Sequence, residues 1–301
     1  MKVLSLFDGI SCGQVAFERA GIPIEIYYAS EIDKHAIQIT QNNYPNTVQL
    51  GDIENWKNWN IEQPDIIMGG SPCQGFSFAG KQLAFDDPRS KLFFTFVGIL
   101  NYYKPKYFLL ENVRMKKDYM DVISEMLGVE PVCINSALVS AQNRVRYYWC
   151  KWSVTQPEDK GVYLKDIIEQ GVVDQNKSYC IDANYWKGGN LKSYFEKHRR
   201  QLVFAGLASD IKGFENRRRI YCISGKSPTL LAHSGGCSEP KIAVSEINYR
   251  KLTPIECERL QTLPDNYTAG VSNTQRYKAL GNGRTVDVIA HIFKCFTHQK
   301  G

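Results

Sequence analysis

The stretch VLSLFDGISCGQVAFERA, residues 3–20, decides the reading of the fold. Residues 3–7 are apolar apart from one serine and fit a short buried strand. Asp8, Gly9, Ser11 and Gly13 break that run, and residues 13–20 continue with helical spacing. Strand, glycine-bearing turn and helix in this order open an alternating α/β unit. The turn is not GxGxxG, but its glycines let a ligand come close to the backbone.

The same alternation continues outward. Strand-like runs fall at 25–29, 66–68, 107–110, 131–134 and 146–150, with helix-like stretches at 34–43, 91–103 and 119–127. This pattern predicts an α/β, doubly wound, mostly parallel sheet. Such sheets bind ligands at the carboxyl ends of their strands, where the turns after Phe7 and Met68 lie. Residues 156–248 differ in character: Gly, Ser, Lys, Arg and Tyr dominate, with basic runs at 197–200 and 217–219. They read as a small loop-rich inserted domain, or as a solvated surface insertion. From 249 helical order returns. Thr253-Pro254-Ile255-Glu256 forms a capping box with proline in the first helical position, Ser272 offers a second cap, and 286–296 is an apolar-periodic helix.

Composition limits the function classes. None of the 301 residues belongs to an apolar run long enough for a membrane span, about 20 residues. Met1 leads directly into the first strand, so no signal peptide is expected. Nine cysteines without a CxxC pair or a His/Cys cluster point to reduced thiols in a cytosolic protein, not disulfides or a metal. The net charge of +6 gives weak support for a polyanionic partner.

Glu31 follows the second strand about 20 positions past the glycine turn, the place from which an acid binds ribose hydroxyls. Ile32 can cover a purine face, and Asp52 can accept from an adenine amino group. The alternative is that both acids cap the helices that follow them. Cys73 stands in GGSPCQG, residues 69–75, at the tip of a tight turn after a strand. A thiol placed there is a candidate nucleophile, although a lone cysteine is more often a buried packing residue.

Nine motifs in order resemble those of the DNA (cytosine-5) methyltransferases. They are FDGISCG (7–13), EID (31–33), GDI (51–53), GGSPCQGFSFAGKQ (69–82), DDPRSKLFF (86–94), ENV (111–113), QNRVR (142–146), RKLTPIECERLQ (250–261) and QRYKALGNG (275–283). Segments of the first half, such as VLSLFDGI and GGSPC, are also similar to vertebrate de novo DNA methyltransferases; the loop after Cys73 is closer to bacterial and phage enzymes. The resemblance implies an S-adenosylmethionine-dependent, Rossmann-like catalytic and cofactor-binding domain at 1–155 plus 249–301. Residues 156–248 would be the target-recognition domain. It also implies a reaction: the methyl group of S-adenosylmethionine moves to C5 of a cytosine flipped out of double-stranded DNA, leaving S-adenosylhomocysteine.

Roles follow from the same resemblance. Cys73 would add to C6, Pro72 would shape the turn beside the cofactor and use its carbonyl on the cytosine amino group, and Glu111 would hold N3. Arg144 and Arg146, two apart on the last strand, would share one face, and one or both would contact O2 and a phosphate. Phe7, Asp8, Gly9, Ile10 and Gly13 would line the methionine side of the cofactor. Glu31 would take the ribose, Ile32, Asp52 and Ile53 the adenine, and Asn282 and Val286 would close the pocket. The chain departs from the family at Gly281-Asn282-Gly283-Arg284-Thr285-Val286, where the family commonly has Gly-Asn-Ala/Ser-Val. Gln74, Ser77, Lys81 and Arg89 would meet DNA from a closing lid, and Arg217, Arg218 and Thr229 from the recognition domain. No metal and no membrane are implied, and a monomer is expected. The expected place is the cytoplasm of a bacterium, or of a phage-infected cell, on the nucleoid. Two alternatives stand beside this reading. One is a transfer-RNA cytosine-5 methyltransferase, whose branch carries a Cys-Phe-Thr motif that occurs here only at 295–297. The other is an inactive DNA-binding homologue.

Overall fold

Neighbouring residues along each strand bury opposite faces, and this divides the core in two. The computed structural model describes residues 1–70, 88–188, 191–204, 220–221, 241–242 and 250–297. One sheet contains β1 (Lys2–Leu6), β2 (Ile26–Ser30), β3 (Val48–Gln49), β4 (Ile66–Gly69), β5 (Tyr107–Val113), β6 (Val132–Asn135) and β7 (Val145–Cys150). Its order is β3-β2-β1-β4-β5-β7-β6, parallel except where β7 runs antiparallel to β5 and β6. Strand order reverses between β1 and β4, which makes their carboxyl ends the crevice of the sheet.

Val3, Ile66, Met68, Leu109, Tyr148 and Cys150 face one side, and Leu4, Leu6, Ile67, Phe108, Leu110 and Trp149 the other. Helices cover both sides: α1 (Cys12–Arg19), α2 (Lys34–Asn43), α3 (Pro88–Tyr103) and α4 (Lys117–Leu127). Phe93, Phe96 and Ile99 of α3 and Ile123 of α4 fill the second side. The indole N–H of Trp149 is satisfied there by Ser124 Oγ at 3.0 Å.

The middle segment adds α5 (Leu191–Lys197) and the short strands β8 (Leu202–Val203), β9 (Ile220–Tyr221), β10 (Lys241–Ile242) and β11 (Arg250–Lys251). Packing runs on past residue 156. Leu164, Ile167, Ile181, Tyr185 and Val203 belong to the same buried cluster as Val3 and Val15. The chain leaves through β8 and returns through β11, and these two pair antiparallel, Val203 opposite Arg250.

The carboxyl-terminal helices are α6 (Pro254–Leu260), α7 (Asn273–Asn282) and α8 (Val286–Thr297). The capping box is formed as read: Glu256 N–H donates to Thr253 Oγ1 at 3.1 Å, and Thr253 N–H to Glu256 Oε2 at 2.8 Å. Ser272 stands at the start of α7, but its side chain accepts no cap bond. Helix α8 returns to the first half of the chain, where Phe293 stacks on Phe17 with ring centroids 4.1 Å apart. The indole of Trp152 donates to Ile292 O at 2.9 Å.

Gly281 fixes how α7 meets the middle segment. A Cβ there would lie 2.2 Å from the Asp182 carbonyl carbon and 2.3 Å from Ala183 N, both backbone atoms that cannot swing aside. Gly281→Ala is therefore expected to cost about 1–3 kcal/mol by overpacking. A urea unfolding midpoint equal to that of the unmodified protein would contradict this contact.

Candidate active site at the carboxyl ends of the strands

Register brings the motifs into one row. Leu6 pairs with Ser30 and with Gly69, and Gly69 pairs with Leu110. The next residues on the four strands, Phe7, Glu31, Gly70 and Glu111, therefore stand side by side; the first three leave the sheet, and Glu111 remains in β5. The strand-like run read as ending at residue 110 continues as β5 through Glu111 to Val113.

The first turn holds an uncommon backbone. Phe7, Gly9 and Ser11 have φ of 54°, 65° and 55°, all in the left-handed region. Only glycine adopts it without cost, so Phe7 and Ser11 store strain that their surroundings must hold. Asp8 holds it from inside: nearly fully buried, it accepts from Tyr27 Oη at 2.7 Å and from Ser11 Oγ, while its N–H donates to Ser30 O at 3.1 Å. Glu31 holds it from the second strand. Its Oε2 accepts from Gly9 N–H at 2.8 Å, and its Oε1 from the N–H groups of Ile32 at 2.8 Å and Asp33 at 2.9 Å. Asp33, not Glu31, caps α2, by accepting from His35 N–H.

Several residues expected to line a cofactor are turned inward. Ile10 and Val286 lie in the hydrophobic core with at most 1% of their surface exposed, and Ile53 is also buried. Gly13 is filled over by the sheet, since a Cβ there would lie 2.7 Å from Tyr27 Oη and 2.9 Å from Met68 Sδ. Its missing side chain serves helix–strand packing. Asp52 does cap, accepting from Glu54 N–H at 2.9 Å at the start of a 3-10 turn, Ile53–Asn58. Gly51 and Asp52 come after β3 has ended at Gln49. By contrast Ile32 is 74% exposed, an unusual place for an isoleucine, directly beside the fixed carboxylate of Glu31. Asn282 is exposed as well.

Glu111 is buried at the end of β5 between two guanidinium groups. Arg146 Nε lies 3.3 Å from Oε1, and Arg284 Nε lies 3.2 Å from Oε2. Arg146 reaches it because Val113 pairs with Arg146 and Glu111 with Tyr148 on the antiparallel neighbour β7. Burial, and next the charge of Glu111, push the Tyr148 phenol far above its usual range, so it stays neutral.

Arg144 is a correction to the shared-face reading. It precedes β7, is buried, and spends its guanidinium on backbone carbonyls: Ile181 O at 3.2 Å, Gly281 O at 3.3 Å and Gly283 O at 2.8 Å. Gln261 holds the same loop, donating to Leu280 O at 2.7 Å and Gly283 O at 3.2 Å, and accepting from Thr285 Oγ1 at 3.0 Å. Arg284 is the residue whose role sequence reasoning missed. The departure from the family pattern marked its position, but its partner lies 173 residues away in the chain. Burial works against its charge, but Glu111 and Asp8 outweigh that and raise its pKa further.

Pro72, Cys73, Gln74, Ser77, Lys81, Arg217, Arg218 and Thr229 lie outside the described residues, as does the side chain of Arg89. Among the described residues no group of three His, Cys, Asp or Glu could hold a metal. None of the described helices is long and apolar enough to cross a membrane.

A family model for the C-5 cytosine-specific DNA methylases matches residues 1–128 and 151–298. The chain belongs to this family. It is a DNA (cytosine-5) methyltransferase with a Rossmann-like sheet. The type II methyltransferase M.NlaX of Neisseria lactamica is 30% identical over 97% of this chain and 94% of its own length. The orphan methyltransferase M.SPRI of Bacillus phage SPR is 25% identical, over 99% of this chain and 98% of its own. In structure, the Entamoeba histolytica methyltransferase EhMeth superposes with a TM-score of 0.69 at 18% identity, covering 99% of this chain and 98% of its own, a likeness of fold.

The described thiols of this methyltransferase differ sharply in burial. Burial pushes Cys12 and Cys150 up to about 11 and raises Cys257 well above the usual thiol range, so all three stay protonated near neutral pH. Cys133 is exposed. Brief alkylation of the native protein at pH 7.5 should label Cys133 and spare these three, as read by peptide mass mapping. Equal labelling of Cys12 would contradict its burial.

Proposed function

We infer that this chain transfers the methyl group of S-adenosylmethionine to C5 of a cytosine flipped out of double-stranded DNA, with Cys73 as the covalent nucleophile. The observation that carries the reading is Glu111, fixed between Arg146 and Arg284 beside Gly70, three residues ahead of Cys73. The Cys73 thiolate adds to C6 and breaks the aromaticity of the ring. Glu111 holds N3 and takes up or gives the proton there as charge develops. Arg146 keeps the carboxylate in place and faces O2, whereas Arg144 secures the 281–283 loop from behind. C5, now enamine-like, forms the new C–C bond; its proton then leaves and the thiolate is expelled.

The residues present fit the methyl donor. The strained Phe7–Ser11 backbone, the carboxylate of Glu31 and the bare side chain of Ile32 offer a polar edge and an apolar face side by side, as an adenosine requires. When bound, S-adenosylmethionine supplies an electrophilic methyl group. Asp52, Asn282 and Pro72 would border the same pocket, and Asp8, Ile10, Gly13, Ile53 and Val286 would support it from below.

Target reading falls to the insertion, whose distal part, 204–249, leaves and re-enters through β8 and β11. Arg217, Arg218 and Thr229 lie in it. Gln74, Ser77, Lys81 and Arg89 would meet the DNA from the loop after Cys73. Base contacts give the sequence choice and phosphate contacts the register. Like its bacterial and phage relatives, the protein would act in the cytoplasm on bacterial or phage DNA, as a monomer. The transfer-RNA reading draws no support from residues 295–297: Phe296 packs against Tyr107 and Trp152, with centroids at 4.3 and 5.6 Å, so this triplet docks α8.

Bisulfite sequencing of DNA from cells expressing the chain tests the reading. Methylcytosine in one sequence context, absent with Cys73→Ser, is the expected result. Incubation with labelled donor, DNA and total transfer RNA separates the alternatives, and label in RNA alone would reverse the assignment.

A further inference from the structure

Arg284 is an uncommon residue to find where it lies. It is 5% exposed, and an arginine cannot shed its charge to ease burial. Such a cation persists only where counter-charges meet it. Its neighbours are held firmly. Gly283 O accepts from Arg144 and Gln261, and Thr285 Oγ1 is bonded to Gln261 and to Ser136 Oγ at 2.9 Å. With both flanking residues fixed, the side chain between them can only enter the crevice. There its Nε meets Glu111 Oε2.

The groups around the pair come from several elements. Asp8 and Cys12 act on Arg284 from the first turn and α1, and Tyr27 from β2. Arg146 meets Glu111 from β7, where Tyr148 is also close enough to feel its charge. Gly70 lies against both members: a Cβ on it would be 3.2 Å from Arg284 Nη2 and 3.3 Å from Glu111 Oε2. The ion pair therefore rests directly on the backbone that leads to Cys73.

We propose that Arg284 is a positioning residue of the reaction: it fixes the Glu111 carboxylate, with Oε2 toward itself and Oε1 toward Arg146, and so sets the orientation in which Glu111 meets N3. This rests on the reading of Glu111 as the group at N3. A carboxylate with a guanidinium on each oxygen is restrained in both rotation and charge. Once one guanidinium is gone, the carboxylate is freer to turn away from that orientation.

Five proteins test this: the unmodified chain, Arg284→Gln, Arg284→Lys, Glu111→Gln and the double variant Arg284→Gln with Glu111→Gln. Single-turnover methyl transfer from labelled S-adenosylmethionine to DNA is followed at pH 7.5. Arg284→Gln should slow transfer by about 10²-fold. Arg284→Lys should recover much of the rate, because it restores a cation that can hold the carboxylate. Cofactor affinity, measured by calorimetry, should change by less than threefold. Thermal melting supplies a readout apart from activity. The single variants Arg284→Gln and Glu111→Gln should each melt about 5–10 °C lower, and the double variant should lose clearly less than their sum. The proposal is overturned if Arg284→Gln keeps the rate of an active parent. It is equally overturned if the melting losses are additive, or if Arg284→Lys is no better than Arg284→Gln at equal stability. An unmodified chain that labels no DNA, yet shows coupled melting, overturns instead the reading of Glu111 on which Arg284's part in the chemistry rests.

Discussion

Replacing Cys73 with serine is expected to reduce methyl transfer to DNA by at least about 10⁴-fold, the scale on which covalent enzymes suffer from loss of the nucleophile. A hydroxyl has almost no ionised fraction near neutral pH, whereas a thiol has a few per cent and is intrinsically the better nucleophile. C6 of cytosine is a weak electrophile, so the exchange removes the step that makes C5 reactive. Binding should survive, because serine is close in size and the cofactor turn and basic surfaces are untouched. Two measurements check this together. Single-turnover transfer should vanish, and DNA carrying 5-fluorocytosine should form a denaturation-stable adduct with the parent but not with Cys73→Ser. An adduct that persists in the variant would assign the nucleophile elsewhere; Cys12 would be a poor replacement, since burial pushes its thiol up to about 11.

The second large effect is expected at Glu111. Glu111→Gln keeps the shape but removes the exchangeable proton, and loss of general acid–base help costs roughly 10²–10⁴ in rate. The change should also be felt in the unliganded protein. Glu111 is the charge between Arg146 at 3.3 Å and Arg284 at 3.2 Å, and its neutralisation leaves two guanidiniums facing each other across a buried amide. Breaking a buried pair from one side typically costs about 3–5 kcal/mol. Urea unfolding and single-turnover transfer should therefore fall together. A variant that is destabilised but retains transfer within tenfold would reduce Glu111 to a packing role.

The alternation of apolar runs was enough to read the sheet, because a parallel strand buried on both sides leaves a short continuous apolar signature. The helix read at 34–43 coincides with α2. Strand ends were less legible. Glu111 continues β5 because β7 pairs with it, and pairing with a strand far along the chain has no local signal. The same limit explains Arg144. Spacing placed it beside Arg146, but the strand begins at Val145, and the residue before it is captured by carbonyls of residues 181, 281 and 283. Arg284 stood out only as a departure from a pattern. What it meets, Glu111, is brought near by the sheet and not by the sequence.

Motif residues also divide by purpose in a way that a motif does not display. In RKLTPIECERLQ, Glu256 and Glu258 are fully buried anions answering Arg250 at 2.7 Å and Arg276 at 2.8 Å. Gln261 secures the loop that carries Arg284. These side chains are spent on contacts within the fold, and they hold the helices and the loop in place.

The pairing of β8 with β11 has a wider consequence. Val203 and Arg250 lie opposite each other, so whatever is strung between them begins and ends at one point on the scaffold. The sheet carries no record of how long that excursion is. Lengthening a closed loop costs little, about 0.6 kcal/mol for each doubling. If the excursion reads the target, as proposed, chemistry and address are separable in a single chain: the excursion can be exchanged as a cassette while the sheet is unchanged.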